Sequence, residues 1–321
     1  MKSVLSEIRR ARPLLGTFVE ITAQGPGEAL LHRAINEAFS AVGAVHRLMS
    51  VHDSASDVSR LNSQAARRPI RVHPWTRRVL LAAKQFSRET GGAWDITVAP
   101  PVRDACFQPE RGARDSCSDW RAIVVRGDGR VYFRRPLLID LGGIAKGFAV
   151  DRATETLIGA GARSGVVNAG GDLRVFGSKP RTVHIRDPLD PGRWGRTISL
   201  RETSLATSTT HGSGADFANQ NPIIDGRTHQ PVSGNLSASV WARDCMTADA
   251  LTKLVLAIRH EAEPILRRYQ AQAFFSLANK MDPRSFLCPD PSAFCSHTKF
   301  VMIASRSTRP GRKLPSLLRS R

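Results

Sequence analysis

The chain is short of the residues on which several chemistries depend. Its five cysteines, Cys106, Cys117, Cys245, Cys288 and Cys295, form no C-x-x-C pair and join no histidine-bearing zinc pattern. That spacing argues against a thiolate metal site and favours free thiols in a reducing compartment. Aromatic residues are 6% of the chain, with only two tyrosines, and neither a base-stacking platform nor a recognition-helix motif is visible. A specific nucleic-acid partner is therefore not expected. No apolar run approaches the roughly 20 residues a membrane-spanning helix needs. The stretch Met1 to Arg12 carries Glu7 and several arginines, and the apolar segment after it is broken by Pro13, Gly16 and Glu20. It does not read as a secretory signal, so the expected location is the cytoplasm.

Acids are also scarce. Against 47 basic residues stand 28 acidic ones, a net charge of +19. A field of that sign attracts anions over about one Debye length, roughly 8 to 10 Å. Part of the excess is local: Lys299, Arg306, Arg309, Arg312, Lys313, Arg319 and Arg321 lie among Pro310, Gly311 and Pro315 with no acid between them. Residues 299–321 are expected to form a disordered basic tail, leaving 1–298 as the folded part.

With 41% hydrophobic residues in 321, the chain can bury a large core. Helices and strands interleave. Thr17 to Ala23 reads as a strand, and Gly27 to Met49, with Leu31, Ala34, Ile35, Ala38, Val42 and Val45 at helical spacing, as a long helix. Pro74 to Thr90 is a second helix, with proline in its first turn and Gly91-Gly92 at its end. Residues 101 to 119 read as a loop, and Gly127-Asp128-Gly129 as the turn of a hairpin from Ala122 to Phe133. Strands are expected over Gly165 to Asn168, Leu173 to Phe176 and Thr182 to Arg186. A late helix spans Thr247 to His260, and Glu263 to Leu277 runs helix then strand. The layout is α+β.

The most informative run is Ile139-Asp140-Leu141-Gly142-Gly143-Ile144-Ala145-Lys146-Gly147. An expected strand, Leu137 to Ile139, delivers Asp140. The glycines admit a close ligand, and a helix starting near Ala149 and ending at Ile158 presents amides that favour anions. The same run would also serve as a plain strand-to-helix turn with Lys146 solvated.

Further blocks follow in a fixed order: Leu14-Leu15-Gly16-Thr17, Leu48-Met49-Ser50-Val51-His52, Asp57 to Asn62, and Gly91-Gly92-Ala93-Trp94-Asp95-Ile96-Thr97. After the Asp140 turn come Val167-Asn168-Ala169-Gly170-Gly171-Asp172, Leu205-Ala206-Thr207-Ser208, Ile223-Ile224-Asp225-Gly226 and Met246-Thr247-Ala248-Asp249-Ala250-Leu251. In these blocks the chain resembles the ApbE family, the FAD:protein FMN transferases. The resemblance implies two packed lobes with mixed sheets, one lobe T-fold-like, and Mg²⁺-dependent transfer of FMN from FAD to a Thr or Ser hydroxyl of a target flavoprotein, releasing AMP.

Carried over residue by residue, the resemblance places FAD against Leu15, His52, Ala93, Trp94, Asp95, Asp140, Lys146 and Ile223. It places Mg²⁺ on the Gly143 carbonyl and on Asp249. The third metal position, a hydroxyl or carbonyl in the family, is Lys253 here. An ammonium has no lone pair to give a cation. Lys253 must offer only its backbone carbonyl, point away, or neutralise phosphate in the metal's stead, and Thr252 is a substitute donor. A second departure is Pro222, where the family has a histidine that helps deprotonate the acceptor hydroxyl. Proline moves no proton, so His211 or His229 is left as base. Read without the resemblance, Asp249 would be a helix-starting acid, Trp94 a core aromatic, and His52, His211 and His229 surface histidines. A flavin-binding protein acting as an FAD pyrophosphatase or carrier is the alternative function.

Overall fold

The computed structural model describes residues 5–98, 119–186, 194–210, 223–234, 236–277 and 286–287. His211, Pro222, the four cysteines other than Cys245, the tail 299–321 and all but the last residue of the expected 101–119 loop lie outside them. The first half runs β1 (Ser6–Leu14), β2 (Thr17–Gly25), α1 (Glu28–Met49), α2 (Asp57–Gln64), β3 (Ile70–Arg71), α3 (Pro74–Glu89), β4 (Ile123–Val125), β5 (Arg130–Phe133) and α4 (Ala145–Gly159). The second continues β6 (Ser164–Ala169), β7 (Asp172–Phe176), β8 (Arg181–Arg186), β9 (Trp194–Leu200), β10 (Thr203–Thr209), β11 (Ile224–Asp225), β12 (Gln230–Pro231) and β13 (Leu236–Ala242). It closes with α5 (Cys245–Ile258), α6 (Glu263–Arg268), β14 (Gln272–Leu277) and β15 (Phe286–Leu287).

An eight-stranded sheet in the order β1-β2-β6-β7-β10-β13-β14-β15 forms the body. Its pairings are antiparallel, as are those of β3-β5-β4 and of the two hairpins among the described residues. The α+β class stands, but the sheets expected to be mixed are antiparallel. Even the neighbours that are not consecutive in the chain, β2–β6, β7–β10 and β10–β13, run antiparallel. Helices α1, α4 and α5 cover one face of this sheet. The apolar stripe of α1 (Leu31, Ala34, Ile35, Ala38, Val42, Val45) is buried along its length. Helix α5 is buried on nearly every side, from Cys245 through Ala248, Leu251 and Val255 to Ile258, because it lies between α4 and the sheet. On the other face, Leu173, Val175, Ile185, Leu200 and Leu205 form a smaller core under hairpin β8–β9. One continuous cluster joins the large sheet's helices to α2, α3 and the small sheet.

Two expectations change. Leu137 to Ile139 forms no strand: Ile139 exchanges two hydrogen bonds with the Asn62 side chain (3.0 and 2.8 Å), and the Asp140 amide donates to the Ile96 carbonyl at 2.9 Å. Helix α4 begins at Ala145, so Lys146 belongs to its first turn.

Candidate active site

Glycine lets two helix starts meet. At Gly147 in α4, a Cβ would lie 2.2 Å from the Cys245 carbonyl oxygen and 2.7 Å from Asp249 Cβ, so α4 and α5 touch there backbone to backbone. The Gly147 amide donates to Asp249 Oδ2 at 2.9 Å. A carboxylate at this end of α4 also complements the helix dipole, since Ile144 at the cap supplies no side-chain bond and the first turn has no acid of its own.

Around this contact two ammonium groups face two carboxylates. Lys253, one turn beyond Asp249 on α5, pairs with Asp249 Oδ1. Lys146 pairs with Asp172 Oδ2 at 2.8 Å, where Asp172 opens β7 beneath α4. Both carboxylates are fully buried, whereas the Lys146 and Lys253 side chains keep 34% and 20% exposure, so the cations form the open side. Burial works against the Lys146 charge, but Asp172 and then Asp249 outweigh it and hold its pKa above the ordinary lysine value. Burial and the neighbouring Asp249 carboxylate push the Asp172 carboxyl up. Asp172 Oδ1 is buried without a hydrogen-bond partner among the described residues. Nothing in its own spacing marks Asp172 as a site residue, although the Gly170-Gly171-Asp172 block points to the turn that carries it.

The surrounding turns bring other expected residues to this point. Gly142 donates to Asp140 Oδ1 at 2.7 Å, which tightens the turn before α4. A Cβ on Gly143 would sit 3.9 Å from Trp94 Cζ2 and 4.0 Å from Lys253 Cγ and Cε, so the glycine turn lies between the indole and the lysine stem. Trp94 is 6% exposed and packs on Phe86 with ring centroids 5.5 Å apart, which makes it a wall of the core behind the turn. Asp95 accepts from the Thr97 amide and hydroxyl, both at 2.8 Å, and burial pushes its pKa up to about 6. The Gly226 amide donates to the Ala93 carbonyl at 3.0 Å, a bond proline could not make, and so docks buried Ile223 and Asp225 near Ala93 to Asp95. Leu15 sits at the tip of the β1–β2 hairpin with φ 57°, and the next residue but one, Thr17, packs against Gly170 at the β6–β7 turn.

Other expected residues are placed differently. His52 is exposed in the turn after α1, and its own amide is bonded to Ser50 Oγ. His229 is exposed in the turn between β11 and β12. The Thr252 hydroxyl is spent on the Asp249 carbonyl and Ser208 Oγ, both at 2.7 Å, so it is turned away from the Asp249 carboxylate. The Lys253 carbonyl belongs to the middle of α5, while its side chain reaches the carboxylate that the family resemblance gives to a metal. A hard divalent cation wants open oxygen donors. Here one Asp249 oxygen holds an ammonium and the other an amide, and among the described residues no group of three His, Cys, Asp or Glu side chains is placed to hold a metal. This donor set does not fit Mg²⁺.

Two part-exposed lysines beside the start of a helix, backed by glycine turns, form the open side of this site in an α+β protein, an arrangement chemically suited to an anion. The ApbE family model matches residues 15–275, and the chain belongs to the ApbE family. It is 27% identical over 275 residues to the FAD:protein FMN transferase of Vibrio cholerae, covering 79% of this chain and 82% of that one. To the Treponema pallidum protein of the same name it is 26% identical, covering 82% of each. Among solved structures, the flavin transferase ApbE from Vibrio cholerae superposes with a TM-score of 0.73 at 25% identity, over 88% of this chain and 96% of that one. The ApbE protein of Thermotoga maritima gives 0.74 at 25%, over 87% and 97%. Among the described residues no helix is long and apolar enough to cross a membrane.

Proposed function

We infer that this chain transfers the FMN half of FAD to a Thr or Ser hydroxyl of an acceptor flavoprotein, with AMP as the leaving product. Relatives that carry the name FAD:protein FMN transferase support the reaction. The observation that carries the reading within the chain is the pair of part-exposed ammonium groups, Lys146 and Lys253, at the open end of α4. Two adjacent cations suit a pyrophosphate, whose cleavage needs its charge offset in an in-line displacement. The hydroxyl oxygen bonds to the FMN phosphorus while that phosphorus parts from the bridging oxygen. The bridging oxygen leaves with its electron pair as part of AMP, and the hydroxyl proton passes to a base, for which the sequence offers His229 or His211. Asp172 and Asp249 hold the lysines in place beside the start of α4.

A second reading, an FAD pyrophosphatase or flavin carrier with no protein acceptor, draws on Pro222 at the family's histidine position. Incubation with FAD and a flavoprotein acceptor domain, following AMP release and covalent flavin fluorescence, separates these. AMP with labelled acceptor supports transfer. AMP without label supports hydrolysis, and intact bound FAD supports a carrier.

A further inference from the structure

We propose that Lys253 is the built-in cation of this site, so that the chain binds the pyrophosphate of its flavin ligand without a divalent metal. The inference rests on the flavin reading above, and three observations on different atoms lead to it. Both Asp249 oxygens are already engaged, Oδ1 by the Lys253 ammonium and Oδ2 by the Gly147 amide. The Lys253 stem runs along the glycine turn, with Cγ and Cε each 4.0 Å from the Cβ position of Gly143, so one side chain spans from Gly143 to Asp249, the two residues to which the family resemblance would give a metal. The Thr252 hydroxyl, the substitute donor the sequence offered, is committed to Ser208 and the Asp249 carbonyl.

Charge points the same way. Lys146 and Lys253 face Asp172 and Asp249, two formal cations against two formal anions. A divalent ion placed on Asp249 would face the Lys253 ammonium at close range and would be repelled. A pyrophosphate approaching the open side meets instead two ammonium groups with N–H donors beyond those bonded to Asp172 and Asp249. Lysine binds phosphate as a compact point charge, the role a small metal ion otherwise fills. Because Lys253 is i+4 to Asp249 on a rigid buried helix, its ammonium is pre-positioned before ligand arrives.

The test uses the full chain and two readouts that do not depend on turnover: flavin fluorescence for FAD binding, and the paramagnetic resonance of free Mn²⁺ for metal binding. In the unaltered protein, FAD affinity should be the same in EDTA as in Mg²⁺, and Mn²⁺ should stay free. In Lys253→Thr, FAD affinity in EDTA should fall by roughly tenfold, the scale of one charge-assisted contact, and Mg²⁺ should restore it. Mn²⁺ should now bind, and adding Asp249→Asn should abolish that binding. Lys253→Gln, which keeps the stem, repeats the affinity loss should the threonine variant fold poorly. FAD binding by the unaltered protein that requires Mg²⁺, or Mn²⁺ bound to it and lost in Asp249→Asn, overturns the proposal while leaving the flavin reading intact. No FAD binding in either buffer overturns the flavin reading and the role of Lys253 with it.

Discussion

Two buried aspartates at the crossing of α4 and α5 are each paired with a cation, and they differ in what they leave open. Asp151 is saturated: Oδ1 accepts from Arg174 at 2.7 Å and from the Cys245 amide at 2.9 Å, and Oδ2 from the Met246 amide at 2.8 Å. It ties α4 to the first turn of α5 and to β7. Asp172 has one oxygen on Lys146 and the other without a partner among the described residues, and its neighbour Asp249 is covered by a lysine that is part-exposed. A carboxylate whose acceptors are all filled by backbone amides and an arginine is a fastening. One whose unmet acceptor is buried beside part-exposed ammonium groups is held at a cost that a ligand site would explain.

The substitution with the largest expected effect removes what both clusters share. Gly147→Ala would force a methyl to 2.2 Å from the Cys245 carbonyl, and neither helix can yield without opening the other's contacts. A loss of about 3 kcal/mol or more, or failure to accumulate folded protein, is expected in urea denaturation. Next, Asp151→Ala strands Arg174 and two amides and should cost about 3 to 5 kcal/mol. The FAD affinity of the folded fraction should not move. Asp172→Asn should show the opposite profile. The amide oxygen can still accept from Lys146, one of two neighbouring carboxylate charges is gone, and the site gains a net positive charge. Stability should then change by less than about 1 kcal/mol while FAD binds a few-fold tighter. If Asp172→Asn instead destabilised as strongly as Asp151→Ala and left FAD binding alone, the distinction between fastening and site would fail.

That distinction is only half legible in the sequence. Helical spacing gives α1 and α3 to within a residue or two, and the Gly127-Asp128-Gly129 turn gives the β4–β5 hairpin. Strand β1 escapes a reading by pattern because its arginines hide the alternation: Arg9 reaches Glu20, and Arg10 and Arg12 reach Asn36, all from an edge strand. Helix α2 is too short to declare itself by periodicity, although Ser56 caps it, its hydroxyl accepting from the Ser59 amide at 2.9 Å. Leu137 to Ile139 looks like a strand because apolar runs do, yet its partner is the side chain of Asn62, which no periodicity reveals. At the site, Asp140, Gly143, Lys146 and Asp249 can be named from their motifs. That Lys253 lies on Asp249 follows from their i,i+4 spacing. Asp172 requires the pairing of β6 with β7 to be known first, since only that hairpin brings it under Lys146.

An effect confined to part of the pH range concerns a third carboxyl, Asp95, which sharpens the comparison because its described partners are the neutral donors of Thr97 and the amide of Trp120. Burial raises both Asp95 and Asp151 to about 6, but for Asp151 the Arg174 cation opposes the rise. A carboxyl raised on folding binds more protons in the native than in the unfolded state between its two pKa values. Its contribution to stability is therefore full below about pH 4 and is lost as pH rises toward 6, by about 1.4 kcal/mol for each tenfold difference in proton affinity between the folded and unfolded chain. Asp95→Asn keeps the acceptor for Thr97 and cannot ionise. Its melting temperature should match the unaltered protein near pH 4 and exceed it at pH 7.5, by an amount equivalent to about 1 to 3 kcal/mol. Equal melting temperatures at both values would mean that Asp95 is ionised in the fold at little cost, against the rise that its burial imposes.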